Sequence, residues 1–172
     1  KPATVSKIKS TALTNVQSVF LVNSNAENVE ISNLIFDFES KHSCIAIRVL
    51  ENVKNINIHD IIFKNFYASD NSSQQNILNL KTGISGNIYN LSFYNIKCVK
   101  NDIIGDSGGA GRCIRTDSYG VTNLKPYSLN LYNIHFEDCY NVDEYGQFTI
   151  EDFDPIHFQH TGVNGNINVS NI

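Results

Sequence analysis

The 172-residue chain has no apolar run approaching the about 18 residues that a membrane-crossing helix needs, so no part of it is expected to insert into a bilayer. Charge is scarce, at 17 percent of residues with a net charge of −4, and Lys and Arg never form a run. Phosphate backbones need clustered cations, so nucleic acid is not expected as a partner. The four cysteines form no CxxC pair, and Cys44 and Cys113 begin equivalent segments two repeats apart, too far for a bridge. Buried free thiols are expected, with no metal and no cofactor. The glycine-rich stretch Gly105–Gly111 lacks the Gly-Lys-Ser/Thr continuation of a phosphate cradle.

The start Lys1-Pro2-Ala3-Thr4 has neither an initiator Met nor the apolar core of a signal peptide, and Ile172 breaks off inside a repeat. The expectation is one domain over 1–172 that is a piece of a longer polypeptide.

What the chain does have is a repeated octet. Val29-Glu30-Ile31-Ser32-Asn33-Leu34-Ile35-Phe36 returns in pattern at 56–63, 91–98 and 129–136, and is cut short at 167–172. Each copy is two segments of alternating apolar and polar residues joined at Asn33, Asp60, Asn95, Asn133 or Asn171. The copies start at 29, 56, 91, 129 and 167, so a constant strand unit carries loops of growing length. A sharp turn between two strands asks for a left-handed backbone, which Asn and Asp tolerate best after Gly. The five residues are therefore read as a structural stack whose side chains can hydrogen-bond along it.

A third alternating segment separates the octets: 19–22, 45–49, 77–80, 113–116 and 156–159. Calling it strand A and the octet halves B and C gives three strands per repeat. The predicted architecture is an all-β, three-sheet β-solenoid of about five coils stacked at about 4.8 Å, with parallel sheets as its faces. The alternation turns Val29, Ile31, Leu34 and Phe36 inward, as it does Ile56, Ile58, Ile61 and Phe63 and their equivalents through Phe136. Each large side chain fully buried contributes roughly 1.5–3 kcal/mol, enough to hold repeats that are weak singly.

Three strands per coil, an Asn turn and variable loops together resemble the right-handed parallel β-helix of the pectin-lyase-like superfamily. Ser43-Cys44-Ile45-Ala46-Ile47-Arg48, followed by Asn52 to Ile58, is similar to a polygalacturonase stretch in which an Asp pair precedes the strand. Here His42-Ser43 replaces the acid pair, and the Gly-His-Gly and Arg-Ile-Lys strings are missing, so fold and substrate class carry over and that active site does not. Asn-, Ile- and Ser-rich coils with unequal loops are most similar to bacteriophage tailspike depolymerases. The tailspike resemblance implies a homotrimer in the virion tail, outside the cell, that binds and cleaves capsule or O-antigen polysaccharide. Ile35 and Ile62, outward on strand C, would suit a subunit contact.

Gly105-Asp106-Ser107-Gly108-Gly109 also resembles the surroundings of a trypsin-like nucleophilic serine. The upstream His42 and His59 lie in or beside strands without the context such a triad needs, so this string is read as a loop.

Acidic residues concentrate in the loop at 137–155. Glycoside hydrolysis uses two carboxylates about 5–9.5 Å apart, one kept protonated as acid. Glu151, Asp152 and Asp154, which lead directly into the last strand A, are the candidate catalytic residues. Arg48, Arg115, Asp117, His157 and Gln159 face outward on strand A beside that loop. With Tyr145 as a stacking platform, they are the candidate substrate-binding residues.

The expected function is hydrolytic depolymerisation of bacterial surface polysaccharide. Two other readings stay open: a non-catalytic receptor-binding or adhesin shaft, and a secreted or cell-surface pectinase-like lyase using a Lys, Arg, His or Tyr base while a cation neutralises the uronate carboxylate.

Overall fold

The computed structural model describes residues 6–9, 18–38, 45–50, 52–68, 76–81, 88–99, 102–104, 112–117, 128–142, 148–149, 156–159 and 166–172. Among these every element is a strand, and the strands assemble into three sheets. The first sheet contains, in spatial order, β1 (Ser6–Lys9), β3 (Glu27–Asp37), β5 (Val53–Lys64), β8 (Ile88–Val99), β11 (Ser128–Glu137) and β15 (Asn166–Ser170). The second runs β14 (Ile156–Gln159), β10 (Arg112–Asp117), β7 (Asn76–Lys81), β4 (Ile45–Val49), β2 (Ser18–Val22). Every neighbouring pair in these two sheets is parallel. The third sheet is small: β6 (Tyr67–Ala68), β9 (Asp102–Ile104) and β12 (Tyr140–Val142) pair in parallel, and β13 (Phe148–Thr149) closes it antiparallel.

Strands of the first sheet follow the octet register: Val29, Ile56 and Leu91 align, as do Leu34, Ile61, Ile96 and Ile134. The division into strands B and C needs correcting. Each octet lies within one strand element of the first sheet, paired on both sides of its Asn or Asp but not at that residue, so the two halves share a sheet. The third sheet comes instead from short strands after the octets. Pairing resumes in the same register beyond the bend because every repeat makes it at the same position.

That position has the backbone the sequence requires. Asn33, Asp60, Asn95, Asn133 and Asn171 have φ between 52 and 57°. Asn95 donates to Asp60 Oδ1 at 2.9 Å, Asn133 to Asn95 Oδ1 at 3.0 Å, and Asn171 to Asn133. In this ladder each later repeat donates to the earlier one. A carboxylate has no N–H to pass on, so the ladder ends at Asp60, and Asn33 donates to Ser32 Oγ instead at 3.1 Å.

A second ladder stands five residues earlier, where Asn28, Asn55 and Asn90 also take positive φ (57, 54 and 52°). Asn55 donates to Asn28 and Asn90 to Asn55, both at 2.9 Å. The third octet's Asn90 is followed in the next repeat by Ser128, whose different side chain interrupts the pattern.

The core lies where the alternation places it. Ile56, Ile58, Ile61, Phe63, Leu91, Phe93, Ile96, Cys98, Leu129, Leu131 and Ile134 are buried, while Val29, Ile31, Leu34 and Phe136 pack partly buried against them. Phe36 stacks on Phe63 at 5.1 Å and meets Phe20 edge-on at 5.9 Å. Phe20 belongs to the second sheet and Phe36 to the first, so this contact joins the two layers. Cys98 is buried and Cys139 half-buried; both are free thiols.

Candidate functional site

Parallel register makes columns out of equivalent residues, and the second sheet carries one whose residues are mostly polar. Leu21, Arg48, Asn79, Arg115 and His157 occupy successive positions across β2, β4, β7, β10 and β14. Strand spacing places Arg48 and Arg115 about 9.6 Å apart and His157 about 4.8 Å beyond. Two residues further along the strands, Lys81, Asp117 and Gln159 form a neighbouring column. The register thus brings together Arg48, Arg115 and His157, with Asp117 and Gln159 alongside. Glu151, Asp152, Asp154 and Tyr145 lie outside the described residues.

Arg48 is the one of these whose side chain is described. Leu21 beside it is exposed at 52 percent, which marks the column as outward, yet Ala46, on the same side of β4, is fully buried. Arg48 therefore stands at the margin of a covered part of this face. Its Nε is buried and makes no hydrogen bond. A buried donor without a partner costs about 1–3 kcal/mol, and such groups are rare enough to need a reason.

Charged side chains of the first sheet pair with one another. There Lys54 meets Glu27 at 3.9 Å, Lys64 meets Asp37 at 3.4 Å and Lys97 meets Glu137 at 2.5 Å, each across adjacent strands. On the second sheet the column Leu21, Arg48, Asn79, Arg115, His157 contains no acidic residue, and Asp117 stands two positions along β10 from Arg115.

A second outward column, unforeseen in the sequence reading, runs Ser32, His59, Tyr94, Tyr132, Ser170 on the first sheet. His59 stacks on Tyr94 at 4.5 Å and Tyr94 on Tyr132 at 4.7 Å, with planes within 4°. Face-to-face overlap is not what aromatic rings prefer by themselves, so the strand spacing imposes it. Because the rings stack along the column, their edges face solvent and their faces cover one another. Burial is the largest effect on Tyr94 and raises its phenol above the ordinary 10.0. The signal was available: all five residues occupy the fourth position of the octet.

His59 also touches two carboxylates, Asp60 at 2.7 Å through Nδ1 and Glu30 at 3.3 Å through Nε2. The His59 hydrogen bond, and then that from Asn95, hold the Asp60 carboxyl below its ordinary 3.8 against a smaller opposing desolvation. A folded-state pKa below the unfolded one gives stability that is present above about pH 4 and lost as pH falls through the folded value. The melting temperature should therefore drop on acidification below about pH 4, with a smaller drop in Asp60→Asn. The difference should be modest because Asp60 is largely exposed.

The outward apolar pair is short. Ile35 and Ile62 are adjacent in register, but the next positions are Lys97 and His135. They border a shallow groove of about 320 Å³ closed by Asn33, Asp60, Asn95 and Lys97. Among the described residues no three His, Cys, Asp or Glu side chains cluster to hold a metal, and no helix is long and apolar enough to cross a membrane.

Compared with family models, curated proteins and solved structures, the chain matches none.

Proposed function

We propose that the repeats close into a right-handed parallel β-helix of the pectin-lyase-like kind, and that the protein binds and hydrolyses bacterial surface polysaccharide as part of a trimeric phage tailspike. The observation that carries the reading is the polar column of the second sheet. A polysaccharide is a long polymer of hydroxyl-rich units, and a line of arginine, asparagine and histidine positions repeating at strand spacing suits such a ligand lying across the strands. The parallel pairing of successive repeats supports the β-helix.

In this reading one acid among Glu151, Asp152 and Asp154 protonates the glycosidic oxygen. A second either attacks the anomeric carbon or draws a proton from the attacking water.

The non-catalytic shaft is favoured by a specific observation. In the first sheet the carboxylates of Glu27, Glu30, Asp37, Asp60 and Glu137 are each engaged with a Lys or His, which leaves them committed to structure. Incubating the protein with purified capsular polysaccharides separates the readings. New reducing ends, lost in a Glu151→Gln/Asp152→Asn/Asp154→Asn variant, are expected for the hydrolase. Ultraviolet absorbance of an unsaturated uronate would mean a lyase, and binding without either signal would mean the shaft.

A further inference from the structure

We propose that Tyr94 and Tyr132 are a modification site, at which a one-electron oxidant joins neighbouring repeats through a dityrosine bond. The inference stands apart from what the protein binds and rests on the stacked column of the first sheet. Tyr94 and Tyr132 pair in register on β8 and β11, with ring centroids 4.7 Å apart and planes within 3°. Parallel strands present the two side chains in the same direction, so each ring carbon beside a hydroxyl lies over its counterpart at about strand spacing. Both residues are half-buried. Their solvent-facing edges leave the phenols open to an oxidant while the backbone holds the rings together.

The column restricts what each oxidised ring can meet. It runs Ser32, His59, Tyr94, Tyr132, Ser170, so each phenol has the other as its one tyrosine neighbour in the column. His59 covers the far face of Tyr94 and has both ring nitrogens on carboxylates, those of Asp60 and Glu30. Each phenol gives one electron to the oxidant and its hydroxyl proton to water, leaving two neutral tyrosyl radicals. A C–C bond then forms between the ring carbons next to the two oxygens. The hydrogen on each of those carbons leaves as a proton while the oxygen beside it regains one. In sum the oxidant takes two electrons and water takes two protons. Coupling within the pair outruns coupling between molecules, because the neighbour's effective concentration far exceeds that of a micromolar protein solution. The bond ties β8 to β11 and restricts the chain between them.

The test is photo-oxidation of the 172-residue protein at micromolar concentration with tris(bipyridine)ruthenium(II) and persulfate, which together supply the one-electron oxidant. After digestion, mass spectrometry should find the Tyr94 peptide joined to the Tyr132 peptide with two hydrogens missing, at least about tenfold more abundant than any other tyrosine pair. Blue dityrosine fluorescence should appear in the monomer band of a denaturing gel. Tyr94→Phe and Tyr132→Phe keep a stacked ring, so the melting temperature should hold while the fluorescence falls about tenfold. Tyr67→Phe should leave it unchanged, since Tyr140 stands two strand steps from Tyr67 across β9. In denaturing urea the preference for the pair should vanish. Absence of the joined peptide, links spread evenly over the eight tyrosines, or links found only between molecules would overturn the site. So would an equal yield in urea, or undiminished fluorescence in either phenylalanine variant of the pair.

Discussion

Phe63→Ala is expected to lower the unfolding free energy by about 3–5 kcal/mol. Phe63 is 1 percent exposed, stacks on Phe36 at 5.1 Å, and aligns with Phe36 on one side and Cys98 on the other. Removing the ring leaves a cavity between three strands that cannot close, because the hydrogen bonds of β3, β5 and β8 fix their spacing. Phe36 would lose its nearer stacked partner, keeping Phe38 at 6.4 Å and the edge contact to Phe20 that joins the two sheets. Urea denaturation followed by circular dichroism measures the loss. Ile62→Ala, one residue away and on the opposite face, should cost under about 1 kcal/mol. Equal losses for the two variants would mean that the inward and outward assignments are wrong.

Asn95→Ala should cost about 2–5 kcal/mol although Asn95 is exposed. Two effects add. A φ of 52° places an alanine Cβ against the following carbonyl, for about 1–2 kcal/mol. The ladder also loses both bonds made by the Asn95 side chain, to Asp60 and from Asn133, at about 0.5–1.5 kcal/mol each. Asn95→Gly separates the two, since glycine accepts the backbone and lacks only the side chain, and should cost less than the alanine variant by about 1 kcal/mol. If alanine and glycine behaved alike, the left-handed backbone would not be the reason for asparagine here. The same pair at Asn133 should repeat the result, because Asn133 also bonds on both sides.

The two substitutions probe what is local and what is not in this fold. Asn33, Asp60, Asn95, Asn133 and Asn171 were legible as turn residues from sequence, since the need for positive φ is a property of a few backbone atoms. That the octet halves remain one strand was not legible. Alternation shows which way side chains face and is silent on whether a bend interrupts hydrogen bonding. The ladder at Asn28, Asn55 and Asn90 went unread for another reason: it lies at the entry to the strand, outside the octet, and its fourth member is Ser128.

The candidate site divides in the same way. Arg48, Arg115 and His157 were read as outward strand residues from the period-2 patterning of each segment separately. Their membership of one column was not, because loops of unequal length separate the segments and only hydrogen-bonded register fixes which residue stands beside which.

By itself the sequence determined the all-β class, the repeat, the inward set and the left-handed turns, each of which depends on neighbours within a few residues. Tertiary structure alone decided the pairing order of the strands, the small third sheet, the stacking of His59, Tyr94 and Tyr132, and the unbonded Nε of Arg48. These depend on residues about 27 to 42 positions apart meeting at strand spacing. No local pattern encodes that distance; pairing between whole repeats sets it.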